Sequence, residues 1–567
     1  MSQVTRELIT LQVGHYANFI GTHWWNLQEA SFVYSTATST NINHDFLFRE
    51  GITSYLQETY TPRLLAIDLK GSLHSLPVEG RLYNDFQAEP STNEAAWDGK
   101  VEFIQQLPQE KNEFLKDLEQ EDLKFRGVTD EDKDICIDDS KASDNDVTPS
   151  KKVYDLTKSV KVWSDFLRPH LHPKAVYLID NLMVNTGRAS AGTSENIWGF
   201  SSGYSTFQRE EVEEEIVDRI RCLAESCNSL QGFQILTDIH DGMGGISCGI
   251  LQHLGDEYGS KNSLTFTTSP PHLIPTMEPA RLLMQASILQ SYREMCQLSS
   301  IVVPLNMRKS MLDFEAPCCA HQHLVLKEYD AYFTSSVVAA FLDTVSLAYR
   351  SRASPLPLAN VVDILTPTGR KVAGGSLSLP LGIKSNQSFA EWLHEEHECS
   401  LVSVSAGCGY HLDPVSELLT VRGIPPSKLN RSGPKYPGAR SYTNAAQLYS
   451  DFLQNSSKPP NMRFVAGVED PLKTTAPFPS IFSPSVTDDG YIDTCHKSSV
   501  PDVKSTPCLA GLHQSRGLGI LLQQLYTSAK KFDVMKVPSL LEEGVDKESW
   551  GVLTEDLQEI ASNYCSK

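Results

Sequence analysis

Leu8-Ile9-Thr10-Leu11-Gln12-Val13-Gly14-His15-Tyr16-Ala17-Asn18-Phe19-Ile20-Gly21 is the stretch on which the fold turns. Leu8, Ile9, Leu11 and Val13 predict a buried strand, and Gly14 breaks it. Ala17, Ile20, Trp24, Leu27 and Phe32 then recur at near-helical spacing. Strand, glycine turn, helix is the opening unit of a doubly wound α/β domain. Arg63 to Leu69 reads as a second buried parallel strand, closed by Lys70-Gly71.

Working outward, Asp98 to Lys152 is dominated by Glu, Asp and Lys, and predicts a solvated, partly disordered insertion. Within it, Asp130-Glu131-Asp132-Lys133-Asp134 lacks a calcium loop's features, since Ile135 and Lys141 stand where the turn glycine and closing glutamate belong. Order returns at Val153. A strand is expected over 175–182, and a helix through Val212, Ile216, Ile220, Leu223 and Cys227, ended by Gly232. A strand over 233–239 then leads into the glycine-rich loop Asp241-Gly242-Met243-Gly244-Gly245 and another helix. From about 325, Val337, Val338, Phe341, Leu342 and Val345 share a helical face. Residues 350–440 carry many Pro, Gly and Ser, and 456–515 reads as loop-rich. Helices are expected over 445–453, 518–526 and 550–564.

These segments divide the chain into 1–97, the insertion 98–152, a return to the α/β domain over 153–325, and an intermediate and C-terminal α/β region over 326–567. The 567 residues exceed what a single core supports, roughly 250–300 residues. The hydrophobic share of 40 % and charged share of 21 % suit a folded chain rather than a disordered one. A net charge of −21 opposes nucleic-acid partners, and basic clusters such as Lys151-Lys152 and Lys530-Lys531 are only two residues long. The first residues fit neither a signal peptide nor a mitochondrial presequence, because Glu7 follows Arg6 at once. The longest apolar run, Val337 to Tyr349, is short and carries Asp343, so peripheral membrane contact without a spanning helix is expected. The twelve cysteines are expected as free thiols.

Both glycine loops follow a strand and precede a helix, which is where backbone N–H groups meet phosphates. Here the sequence resembles tubulin. The stretch from Ile9 to Gly21 looks like its first strand and phosphate loop. Tyr60-Thr61-Pro62-Arg63 with Asp68-Leu69 looks like its next strand, and Ala224-Glu225-Ser226-Cys227 with Leu230-Gln231-Gly232-Phe233-Gln234 like the approach to its signature glycine loop. A closer resemblance, over most of the chain, is to the tubulin-related misato family. It rests on Trp24-Trp25-Asn26, Glu58-Thr59-Tyr60-Thr61-Pro62-Arg63, Asp68-Leu69-Lys70-Gly71-Ser72-Leu73, Val162-Trp163-Ser164-Asp165-Phe166-Leu167 with His170-Leu171-His172-Pro173, and Gln231-Gly232-Phe233-Gln234-Ile235-Leu236. The resemblance implies a tubulin-like fold and a cytoplasmic and mitochondrial outer-membrane location. It also implies a role in mitochondrial distribution, morphology and fusion, through protein partners at the outer surface, tubulin or its chaperones among the candidates.

Against tubulin, His240 and Asp241 replace glycines of the signature loop, Met243 its threonine and Ile246 a later glycine. Lys70 stands in place of an acidic residue near the nucleotide's Mg²⁺, and His15 and Tyr16 in place of a glutamine and a cysteine. Gly14, His15, Asn18, Gly21, Lys70, Gly242 and Gly244 are therefore expected to form a vestigial nucleotide pocket. No cofactor and no catalytic residue is expected, GTP being the cofactor under the alternative, a GTP-hydrolysing relative that polymerises or assists tubulin. Asn360 and Asp363 resemble tubulin's catalytic Asn-x-Asp loop with the spacing wrong by one. Two further constellations fall short of metal chemistry. His394-Glu395-Glu396-His397 lacks zincin spacing, and Cys318-Cys319 with His321 and His323 reads as a buried thiol pair without a second zinc-ligand pair.

Overall fold

The computed structural model describes residues 6–33, 40–52, 58–77, 110–125, 154–183, 198–327, 330–353, 355–395, 400–408, 414–430, 441–456, 462–493 and 502–565. Asp130 to Lys141 and His397 lie outside the described residues.

The first strand, β1 (Leu8–Val13), runs through Gly14 into α1 (His15–Ala30). The hairpin β2 (Phe48–Ile52) and β3 (Glu58–Pro62) follows, then β4 (Leu64–Lys70). Next come α2 (Glu113–Phe125), β5 (Val176–Met183), α3 (Phe200–Phe207), α4 (Glu210–Glu225), β6 (Gly232–Asp238), α5 (Gly242–Glu257), β7 (Asn262–Thr268), α6 (Glu278–Leu298) and β8 (Ile301–Leu305). Six of these strands form one sheet in the order β5-β4-β1-β6-β7-β8, every neighbouring pair parallel. Side chains alternate between its faces, as the two-residue period of a strand requires. Ile9, Leu11, Val13, Phe233 and Ile235 join a core with α4, α5 and α6, while Leu8, Leu236, Leu264 and Phe266 join one with α1.

Expectations need correction at the end of α4 and in the acidic stretch. The helix expected to run to Gly232 stops at Glu225, capped by Ser226. Gly232 instead opens β6, where a Cβ would lie 2.3 Å from the Asn262 carbonyl oxygen. In the stretch read as a solvated insertion, α2 buries Phe114 and Leu115 against the body of the protein.

The second region begins with α7 (Ala331–Arg350), α8 (Leu358–Leu365), β9 (Gly374–Ser378), α9 (Phe389–Glu395), β10 (Val402–Ser403) and β11 (Ser416–Arg422). It continues through α10 (Ala445–Ser456), β12 (Met462–Val468), the short pair β13 (Leu472–Lys473) and β14 (Ser505–Thr506), and β15 (Cys508–Gln514). The helices α11 (Arg516–Lys531), α12 (Pro538–Glu542) and α13 (Lys547–Cys565) close it. A mixed five-stranded sheet has the order β10-β9-β15-β11-β12. Its strands β12 and β15 come from the stretch read as loop-rich, so that reading is corrected too.

Between the two sheets lies α7, touching α1 on one side and β11, β12 and β15 on the other. Every residue from Tyr332 to Arg350 is buried. The helix is longer than the apolar run suggested. Among the described residues it alone is long and apolar enough to cross a membrane, and 94 % of its apolar window is buried inside the protein. Asp343, the charge that interrupts it, accepts from Arg350 at 2.7 Å and from Arg422 of β11 at 2.5 Å.

Candidate functional site

In this strand order β1 lies between β4 and β6, and the chain winds outward from it in both directions. The crevice at the carboxyl ends of these strands is the switch point where such sheets bind ligands. Gly14, the turn after β1, has φ +115°. A Cβ on it would stand 2.4 Å from Oδ2 of Asp238, the last residue of β6.

Asp238 fills the place where a phosphate would sit. The backbone N–H groups of Tyr16 and Ala17, in the first turn of α1, donate to its carboxylate at 2.8 and 3.1 Å. The Thr268 hydroxyl donates to it at 2.6 Å. An α-helix leaves its first N–H groups without internal partners, and an anion is the usual solution; here the anion belongs to the chain.

The second glycine loop is closed in the same way. Asp241 caps α5, accepting from the Met243 N–H at 2.9 Å. Its glycines serve helix packing. The Gly242 N–H donates to the Trp198 carbonyl at 2.9 Å, and a Cβ on Gly242 would stand 2.4 Å from the Trp198 ring. A Cβ on Gly244 would stand 2.2 Å from Ser291 Oγ of α6, and one on Gly245 2.0 Å from the Phe200 carbonyl oxygen of α3. The Gly242 and Gly244 N–H groups are thus turned to the Trp198 and Asp241 carbonyls, the latter at 3.3 Å, and α3, α6 and Trp198 crowd the two glycines.

A third carboxylate, Asp68 of β4, is fully buried and gathers the remaining polar groups. It accepts from Trp163 Nε1 at 2.8 Å and Asn18 Nδ2 at 3.3 Å, and pairs with His15 Nδ1 at 3.0 Å. His15 and Asn18 are thus held by protein. Burial pulls the His15 pKa down, but the Asp68 charge and hydrogen bond outweigh it, with Asp238 and Asp241 adding, so it lies above the ordinary value. Lys70 stands two residues past Asp68, exposed, beyond a register break in the β4–β5 pairing. Gly21 is not in the site. It lies within α1 where the helix crosses β1, and a Cβ there would stand 2.0 Å from Gln12 Nε2. Tyr16 turns away onto α7 and donates to Thr334 Oγ1 at 3.1 Å.

The structure therefore brings Gly14, His15, Asn18 and Gly242 to one edge, around Asp68, Asp238 and Asp241. Sequence reasoning missed Asp238, Trp198 and the acceptor role of Asp68. The available signal was an acid closing an otherwise apolar strand just ahead of a glycine loop. Asn360 and Asp363 lie on the exposed side of α8. That helix packs where β6 begins, since Leu358 N–H donates to Gln231 Oε1 at 2.9 Å, so both residues belong to the opposite edge of the sheet. Cys318 and Cys319, expected as a buried thiol pair, are each only half-buried. No group of three or more His, Cys, Asp or Glu side chains among the described residues could hold a metal ion.

These residues do not fit a nucleotide polyphosphate. Like charges about 4 Å apart cost about 4 kcal/mol at an effective dielectric of 20, and a phosphate seated on α1 would meet Asp238 at closer range. The burial of Asp238, and next to it the opposing charge of His240 and the like charge of Asp241, leave its pKa raised to about 6. A carboxyl group whose folded pKa is raised stabilises the fold most fully below its unfolded value, near 4. That contribution is lost as the pH rises to about 6. Between these limits we expect Asp238 to lower stability by about 3 kcal/mol with rising pH. Urea midpoints of the wild type and Asp238→Asn at pH 4.5 and 6.5 check this, the variant showing the smaller fall.

Two family models match the chain: the Misato Segment II tubulin-like domain over residues 6–120 and the Tubulin domain over 154–351. Over its full length the chain is 32 % identical to Protein misato homolog 1 of Danio rerio, covering 98 % of that protein. The chain belongs to the misato family. Protein misato of Drosophila melanogaster is 30 % identical over 99 % of the chain, and Protein misato homolog 1 of Homo sapiens 29 % over all of it. The expected tubulin-like α/β fold is thereby established for this misato-family chain. The first family model runs through α1 and β4 and into α2, and the second spans the strands and glycine loop from β5 to the end of α7.

Proposed function

We propose that this misato-family chain is a tubulin-like scaffold without catalytic activity that regulates mitochondrial distribution and morphology and supports fusion and network formation. The observation that carries the first half is the occupancy of both anion-seating helix N-termini by the chain's own carboxylates, Asp238 on α1 and Asp241 on α5. The second half rests on kinship with the misato family. In this reading the protein works from the cytoplasm and the outer face of the mitochondrial outer membrane, held there peripherally by protein partners, with tubulin or its chaperones as candidates.

Rescue of cells depleted of the protein tests this reading. Wild type and Lys70→Ala, which removes an exposed cation at the carboxyl end of β4, are expected to restore a connected mitochondrial network equally, with proximity labelling enriching outer-membrane proteins. Failure of Lys70→Ala at wild-type abundance would argue that a nucleotide is required. Failure of the wild type to change mitochondrial form would remove the cellular half.

A further inference from the structure

The seam between the sheet edge and α4 carries a pair that the nucleotide edge does not involve. Lys174 lies two residues ahead of β5, and its Nζ reaches Cys222 Sγ at 3.3 Å and Asp218 Oδ2 at 3.4 Å. Asp218 and Cys222 are one helical turn apart on α4 and so share a face, with Sγ 3.8 Å from Asp218 Oδ2. Lys174 is half exposed and Cys222 half-buried, so small solutes reach both. Hydrogen bonds and charge from Cys222 first, then Asp218, hold the Lys174 ammonium above its ordinary pKa. Among the described cysteines, Cys248, Cys296, Cys408 and Cys508 are buried, and burial pushes the Cys227 and Cys319 thiols up.

We infer that Lys174 and Cys222 form an oxidative modification site at which hydrogen peroxide closes a lysine–cysteine N–S cross-link. In the thiolate–ammonium form of the pair, sulfur attacks one peroxide oxygen. The S–O bond forms, the O–O bond breaks, and the departing hydroxide takes a proton from Lys174 to leave as water. That yields a sulfenic acid beside a neutral amine. Sulfenic acids condense with nearby nitrogen: the N–S bond forms, the S–O bond breaks, and a second water leaves. Thiolate, ammonium and one peroxide are consumed, and a neutral link and two waters result. Sulfur is oxidised and peroxide is reduced. The link would tie the segment before β5 to α4 at the seam where Arg219 Nη1 already donates to the Val176 carbonyl at 3.0 Å.

Peptide mapping of the peroxide-treated full chain tests this. The expected product joins the Lys174 and Cys222 peptides, is lighter by two hydrogens than their sum, and separates on treatment with dithiothreitol. Lys174→Arg keeps the charge and is expected to lose the link while Cys222 proceeds to sulfinic acid. Cys222 reaching sulfinic acid without the link in the wild type would overturn the proposal. A joined pair heavier by one oxygen would overturn the N–S step, and the same link from other lysines in Lys174→Arg would overturn the site.

Discussion

Replacing Asp343 with alanine is expected to lower the stability of the chain by about 3–5 kcal/mol, the range for removing one partner of a buried ion pair. Asp343 is the only acid on α7, the helix that separates the two sheets. Its carboxylate takes one guanidinium from its own helix and one from β11, at 2.7 and 2.5 Å. Arg350 also reaches Gln28 Oε1 of α1 at 3.2 Å, and Arg422 the Asp470 and Pro471 carbonyls at 3.1 and 3.2 Å. One carboxylate therefore ties α1, α7 and the second sheet together. Burial pushes the Asp343 pKa up, but the two arginines more than reverse that, leaving it below the ordinary value. Its charge thus favours the fold above the unfolded pKa near 4, and the benefit fades only in acid. Alanine would strand two buried cations. Urea unfolding followed by far-UV circular dichroism measures the change, and a loss below about 1 kcal/mol, the range of an exposed pair, would contradict the role assigned to Asp343.

Asp238→Ala is the second large effect. It removes the acceptor of the buried Tyr16 and Ala17 N–H groups, while the Thr268 hydroxyl keeps the Thr237 carbonyl at 3.1 Å. Each buried donor left unsatisfied costs about 1–3 kcal/mol. Relaxation limits the total, so a loss of about 2–5 kcal/mol is expected. The variant also recreates an open helix N-terminus, which is an anion site by construction. Excess inorganic phosphate is therefore expected to raise the thermal midpoint of Asp238→Ala and to leave the wild type nearly unchanged, since a ligand stabilises only the form that binds it. Equal shifts in both proteins would mean that Asp238 does not block the seat.

The parts of the fold legible in the sequence are those whose pattern is local. Strands buried on both faces leave largely apolar runs, so Leu8 to Val13 and Leu64 to Leu69 declare themselves. Those of the second sheet are interrupted: Gly467 sits inside β12 and Gly511 inside β15, in a stretch dense in Pro and Ser, and the alternation is lost. The glycines of the candidate site were visible, but not their use. Gly21 and Gly244 admit a neighbouring side chain rather than a phosphate, and a sequence gives no sign of which object approaches a missing Cβ. Asp238 meets Tyr16 across 222 residues of chain, a contact no spacing rule reaches.

Equilibrium dialysis of the purified full-length wild type against GTP with Mg²⁺ at near-neutral pH bears most directly on the claim that the chain's own carboxylates have taken the place of the nucleotide. No nucleotide is expected to be retained at high micromolar concentration. Saturable retention at low micromolar concentration would contradict it.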